Sequence, residues 1–281
     1  MLILKLNDLQ PGVVVKRPSL FIKTPYVADV QTRSNEGTIL CHTASLGCCG
    51  LADKDANVLL APIPKTKNSS KNKCQYRIYL AVIHEKGVET IVGIHPKLAE
   101  DITLSCIQNN LLTKLNHIKH LKREFTIFVK DKVDSRFDFS GIDCNGIPFI
   151  LEVKNVPLAD YEDITAKERK KKNYDHFDLN NKIAYFPDGY RKKQVDPVSP
   201  RALKHLTEMT LIKKESKTRC IMCYVIQRTD INRFQASDID PIYKQALKTG
   251  VENGIEIITI VVQWNKDGTA NFITDNIPIN L

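Results

Sequence analysis

At 281 residues the chain is long enough for one large domain or two ordinary ones. Its 42% apolar and 26% charged residues exclude a disordered chain, and no apolar run approaches the roughly 20 residues needed to cross a bilayer. The net charge of +9 suggests a polyanionic partner, to be judged by where the charge is clustered.

The opening "MLILKLNDLQPG" has neither the charged head nor the long apolar stretch of a secretory signal, so an intracellular, cytoplasmic protein is expected. Short apolar runs broken by turns follow at 12–17, 26–32, 37–43, 57–63 and 75–85. Five strands with almost no helical periodicity predict a small β-barrel, and an oligonucleotide-binding (OB-like) barrel over 1–85 is the natural candidate. Within it, "KTKNSSKNKCQYR" (65–77) holds Lys65, Lys67, Lys71 and Lys73 with no acid, which suits contacts to phosphates.

The pattern changes near residue 95. Leu98, Ile102 and Cys106 recur four apart, and Pro96 stands where a first helical turn tolerates it, so a helix is predicted there. Runs at 123–130, 135–142 and 147–156, joined by "DKVD" and "DCNG", predict an antiparallel meander. The polar stretch 159–195 has no clear period. Ser199 and Pro200 then open a second helix, "RCIMCYVIQR" reads as a buried strand, and a helix at 240–254 and a strand at 255–264 follow.

The eight cysteines do not form a zinc pattern. Cys41, His42, Cys48, Cys49 and Cys74 lack paired CxxC spacing, and Cys220 and Cys223 in "CIMCYVI" would face opposite sides of a strand. They read as reduced, small hydrophobes.

Chemistry concentrates in "SRFDFSGIDCNGIPFILEVKNV" (135–156). Strand alternation puts Glu152 and Lys154 on one face, and an in-register hairpin turns Asp138 toward the same edge. Two carboxylates and an ammonium at one point suit Mg²⁺ or Mn²⁺, which take one or two protein carboxylates and keep several waters. Such an ion lowers the pKa of a bound water and offsets charge on a phosphoryl oxygen. Asp138 and Glu152 are the candidate metal ligands, and Lys154 the group that positions water or stabilises the pentavalent phosphorus. Glu100 and Asp101 on the preceding helix offer a further ligand. The bland alternative is an E-x-K salt bridge across a strand face, worth about 0 to 1 kcal/mol.

Several stretches resemble the sugar fermentation stimulation (SfsA-like) family over nearly the whole chain: "KRPSLFIKTPYVADV", "SRFDF", "ILEVKNVPL", "YFPD" followed by "SPRALKHL", "VIQRTDINRFQASDIDPIYKQAL" and the final "NIPINL". The resemblance implies an α/β (mixed α+β) architecture. An N-terminal OB-like barrel over 1–85 would precede a restriction-endonuclease-like PD-(D/E)XK domain over 86–281, in a protein associated with DNA binding. It implies that Asp138, Glu152 and Lys154 take the catalytic positions, with Asp101 rather than Glu100 as the helix acid. Arg201, Lys204 and His205 fall on the helix after the site, where phosphate contacts are expected; a packed helix histidine is the other reading of His205. Arg136, beside the site strand, and Lys170, Lys171 and Lys172 in "KERKKK" are further candidate contacts, though that run also fits a solvated insertion or a nuclear-targeting signal. The family's HCPNTG loop reads "HTASLG" (42–47) here, keeping only its first and last members.

The expectation is a Mg²⁺- or Mn²⁺-dependent phosphodiesterase acting on DNA, with RNA as an alternative partner and no membrane association. A non-catalytic DNA-binding regulator that keeps the nuclease scaffold is the second reading. A carbohydrate-related enzyme is suggested by the family's name alone, without a nucleotide-cofactor or glycosidase motif.

Overall fold

The structure is a computed structural model that describes residues 1–33, 36–43, 50–64, 73–187 and 195–281. In chain order, β1 (Leu2–Lys5) is followed by β2 (Gln10–Lys16), β3 (Val27–Thr32), β4 (Thr38–His42), β5 (Asn57–Pro62), β6 (Tyr76–Glu85) and β7 (Val88–Gly93). Helix α1 (Pro96–Gln108) leads into β8 (His120–Val129), β9 (Val133–Ile142) and β10 (Pro148–Val156). Next come β11 (Ala159–Asp160), the short α2 (Ala166–Arg169), β12 (Lys182–Phe186), α3 (Pro200–Glu215), β13 (Arg219–Ile226) and β14 (Ile231–Ala236). Helix α4 (Pro241–Glu252), β15 (Glu256–Trp264), β16 (Thr269–Thr274) and β17 (Ile279–Asn280) complete a mixed α/β fold.

The strands β2 to β7 form a six-stranded sheet in the order β4-β3-β2-β5-β6-β7, with an additional parallel pairing of β4 with β6. Its inner face comes from alternation: Gly12 and Val14 point inward while Val13 and Val15 are exposed. A Cβ on Gly12 would stand 2.6 Å from Val30 Cγ1 and 2.8 Å from Leu60 Cδ2, so only glycine lets these layers approach.

A seven-stranded sheet in the order β1-β16-β15-β13-β10-β9-β8 forms the centre of the rest. Strands β10, β13 and β15 run parallel; the pairs β8–β9, β9–β10, β15–β16 and β1–β16 are antiparallel. Helix α1 packs on one face through Leu98, Ile102 and Cys106 against Leu151, Val153 and Val225. Helices α3 and α4 cover the other through Leu206, Met209, Tyr243 and Leu247. Burial on both faces explains why β13 is apolar almost throughout, as covered parallel strands are. The first strand belongs to this large sheet although the residues after it build the smaller one.

The polar stretch without a sequence period contains its own structure. Strands β11 and β12 join β14 and β17 in a four-stranded sheet. Tyr161 stacks on Tyr174 at 5.5 Å and meets Phe177 at 5.2 Å, and Lys86 Nζ donates to the Tyr174 carbonyl at 2.9 Å. The expected order of helix, three strands, helix, strand after residue 96 therefore gains β11, α2 and β12 in its middle.

Candidate functional site

The β9–β10 ladder pairs Pro148 with Ile142 through to Leu151 with Phe139. One step further the same register would set Glu152 opposite Asp138, but the backbone pairing stops there. Asp138 Oδ2 instead accepts the Val153 N–H at 2.7 Å. A carboxylate thus satisfies the donor that the end of the ladder leaves behind, and this fixes the orientation of Asp138.

Glu152 is 3% exposed. Its Oε1 accepts from Lys154 Nζ and lies 2.6 Å from His205 Nδ1 on α3. Its Oε2 is buried with no hydrogen-bond partner. Burial pushes the Glu152 carboxyl upward, but the charge of Lys154 and the hydrogen bond and charge of His205 outweigh it and hold the group below its usual range. Asp138 shifts the other way, up to about 6, through burial first and then the Glu152 charge, with Glu100 adding; the Val153 N–H and Lys154 oppose. Asp138 thus holds its proton more readily than usual beside a charged Glu152, and a bound cation would offset the repulsion that makes it do so.

The donor set fits a hard divalent ion. It has two carboxylates, one of them with a buried, unpartnered oxygen, while Lys154 and His205 both engage the other oxygen of Glu152. Asp101 is not brought to this pair. Its Oδ1 lies 3.3 Å from Arg123 Nη1, and Glu100 Oε2 lies 3.1 Å from Arg123 Nη2. The guanidinium, stacked 5.6 Å from the centre of the Phe139 ring, ties both helix acids to β8. Of the two, it is the Glu100 charge that acts on Asp138. Among the described residues no three His, Cys, Asp or Glu side chains converge as a ready-made metal cage.

The expected phosphate contacts fall on several elements. His205 is buried and turned inward to Glu152, so it meets the carboxylate and not an outside phosphate. Lys204 is exposed, donates to the Asp134 carbonyl and lies 3.6 Å from Glu208. Arg201 is exposed, and Arg136 pairs with Glu124 at 3.4 Å on the exposed face of the β8–β9 hairpin. Lys170 and Lys171 are exposed, whereas Lys172 Nζ is 2.7 Å from Glu162 Oε2. Lys73 is exposed; Lys65, Lys67 and Lys71 lie outside the described residues, as does most of the 42–47 loop. The His205–Glu152 contact was missed because helix spacing shows which face His205 shares with Leu206 and Met209 but not what lies opposite.

A mixed α/β protein, with a parallel-centred sheet that carries paired acids where the β9–β10 ladder ends, is the class these elements define. A family profile described as "Sugar fermentation stimulation protein RE domain" matches residues 171–268. A sugar fermentation stimulation protein homolog of Bartonella henselae is 28% identical over 94% of this chain and 93% of its own. The homolog of Nitrosococcus oceani is 26% identical over 97% of both chains, and that of Trichormus variabilis 29% identical over 89% and 87%. The solved structure of Pyrococcus furiosus SfsA in complex with Ca²⁺ covers both chains completely with a TM-score of 0.73 at 17% identity, a likeness of fold. The chain is thus similar over nearly its whole length to sugar fermentation stimulation protein homologs.

Proposed function

We propose that the protein binds nucleic acid and hydrolyses phosphodiester bonds with a divalent metal held by Asp138 and Glu152. The observation that carries this reading is the buried, unpartnered Oε2 of Glu152 beside a carboxylate whose own ionisation Glu152 disfavours. The Ca²⁺ complex of the Pyrococcus furiosus relative supports a divalent ion as the missing partner. Mg²⁺ or Mn²⁺ is the working ion, which supplies a bound water of lowered pKa and offsets charge on the phosphoryl oxygens.

The chain's own groups would divide the remaining work. The Val153 N–H orients the Asp138 carboxylate, and His205 fixes Glu152 from the helix side. Lys154, paired with Glu152 in this structure, would supply the cation for a scissile phosphate beside a metal ion held by the two carboxylates. We assign β2 to β7 as an OB-like nucleic-acid-binding barrel, a reading supported by the β4–β6 pairing, and the remainder, with β1 in its seven-stranded sheet, as a restriction-endonuclease-like unit.

The test is cleavage of single- and double-stranded DNA and of RNA with Mg²⁺ or Mn²⁺, by wild type and by Lys154→Ala. Cleavage should fall about 10²-fold or more, the scale of one lost transition-state contact, with binding nearly unchanged. Cleavage that survives in Lys154→Ala would place the activity at another site. An inert wild type that still binds DNA would leave a regulator built on this fold.

A further inference from the structure

A second cluster lies where the six-stranded sheet meets α1, and it contains cation-forming groups without an acid. The parallel pairing of β4 with β6 sets His42 in register with Arg77. The Arg77 guanidinium carbon is 6.0 Å from the centre of the Tyr79 ring, which packs at 5.2 Å against the ring of His95. His95 is buried immediately before α1, and its Nδ1 accepts the Lys97 N–H at 3.2 Å. In the neutral ring that hydrogen bond leaves the proton on Nε2, so His95 retains a donor for another group.

Two atoms of this cluster are unsatisfied. His42 Nδ1 and Arg77 Nε are both buried without a hydrogen-bond partner. Native proteins leave few such atoms, and each one calls for a water, an ion or a ligand. The electrostatics give the sign of that ligand. Burial and the Arg77 charge lower the His42 pKa, and burial, Arg77, His42 and Lys97 together lower His95 to about 4. No carboxylate figures among the charges that act on either ring, and among the described residues Arg77 has no acidic partner. The α1 N-terminus adds its partial positive charge at His95. A guanidinium, two imidazoles and a helix N-terminus with no counter-charge suit a phosphate group.

The cluster borders the carboxylate site. Asn155 follows Lys154 on β10, and its Nδ2 approaches the carbonyl of Ile94, next to His95, at 3.5 Å. We propose that His42, Arg77 and His95 form a phosphate-binding pocket that holds a phosphate group of the nucleic-acid strand at the end of β10. The carrier of that phosphate rests on the function proposed above; the pocket itself does not.

Calorimetric titration without divalent metal tests it, with inorganic phosphate and, separately, a 5′-phosphorylated oligodeoxynucleotide as probes. Wild type should bind phosphate one to one. Arg77→Gln and His42→Asn should each weaken it by about tenfold or more, the scale of a lost charge-assisted hydrogen bond, with the melting temperature retained. If a variant does not fold, the ring resonances of His42 and His95 in wild type give the answer, since added phosphate should shift them and leave those of His117 and His120 in place. No phosphate binding by wild type, or equal binding by both folded variants, overturns the pocket. Weakened phosphate binding with unchanged oligonucleotide binding overturns the strand as carrier and leaves a free-phosphate site. Wild type that binds phosphate through Arg77 yet cleaves nothing with Mg²⁺ or Mn²⁺ keeps the pocket and removes the nuclease reading.

Discussion

Asp138 and Glu152 share an environment but not a titration, and the difference can be measured. The carboxyl of Asp138 is raised from 3.8 to about 6, so between those values the folded protein binds more protons than the unfolded one. Its ionisation at neutral pH therefore costs stability, and that cost disappears as pH falls through about 6 toward 4. Asp138→Asn keeps an oxygen for the Val153 N–H and should raise metal-free stability at pH 8 by on the order of 1–3 kcal/mol. The gain should fade by pH 4. Urea unfolding at the two pH values checks this, and an equal effect at both would mean Asp138 is not raised. The sequence showed this residue through its company: an acid between Phe137 and Phe139, fourteen positions before an E-x-K. It could not show that Arg123 claims Asp101, because that contact joins a helix to a strand 22 residues away.

At the scale of elements, a buried network joins the smaller sheet to the stretch after β10. Lys182 Nζ on β12 meets Glu85 Oε2 of β6 at 2.5 Å and Asp230 Oδ2 at 2.7 Å, while Arg228 also binds Asp230 through two nitrogens and Tyr161 donates to Glu85. Burial works against the Asp230 charge, yet Arg228 and Lys182 prevail and bring its carboxyl down to about 2. Lys182→Ala removes one cation from two acids and should destabilise by about 3 kcal/mol or more, as breaking a buried pair does. Denaturant unfolding reads the loss; a change under about 0.5 kcal/mol would mean the network carries no load. The expected strands at 12–17, 26–32, 37–43, 57–63 and 75–85 lie within two residues of β2 to β6, because half-buried strands alternate. Strands β11, β12 and β14 were not legible. Their partners are brought together only by the fold, and the aromatic packing of Tyr161, Tyr174 and Phe177 is spread over a mostly polar stretch.

Over the whole molecule, the charge of +9 gives the proposed partner its electrostatic footing. The structure divides the "KERKKK" run: Lys170 and Lys171 are exposed, but Lys172 is held by Glu162. If the run touches phosphates, replacing Lys170 and Lys171 with Ala should flatten the plot of log K against log salt by about 1 to 2 units, and Lys172→Ala should add little. Binding titrations between low and moderate salt check both, and an unchanged slope would mark the run as a solvated surface. The similarity to the relatives compared runs nearly end to end, which is why shared motifs could be read from the chain. The cluster of His42, Arg77 and His95 leaves no mark in the sequence, because its members come from two strands and a helix cap and share no spacing.

The central claim is that Asp138 and Glu152 hold the metal ion that drives phosphodiester cleavage. Glu152→Gln keeps the shape of the side chain and removes the charge, and His205 and Lys154 can still bond to its amide oxygen. The most direct measurement is the single-turnover cleavage rate of labelled DNA with Mn²⁺, for wild type and Glu152→Gln at matched, verified folding. A rate at least about 10²-fold lower in the variant is the expected result. Equal rates in the two proteins, or no metal-dependent cleavage by wild type on single- or double-stranded substrate, would contradict it.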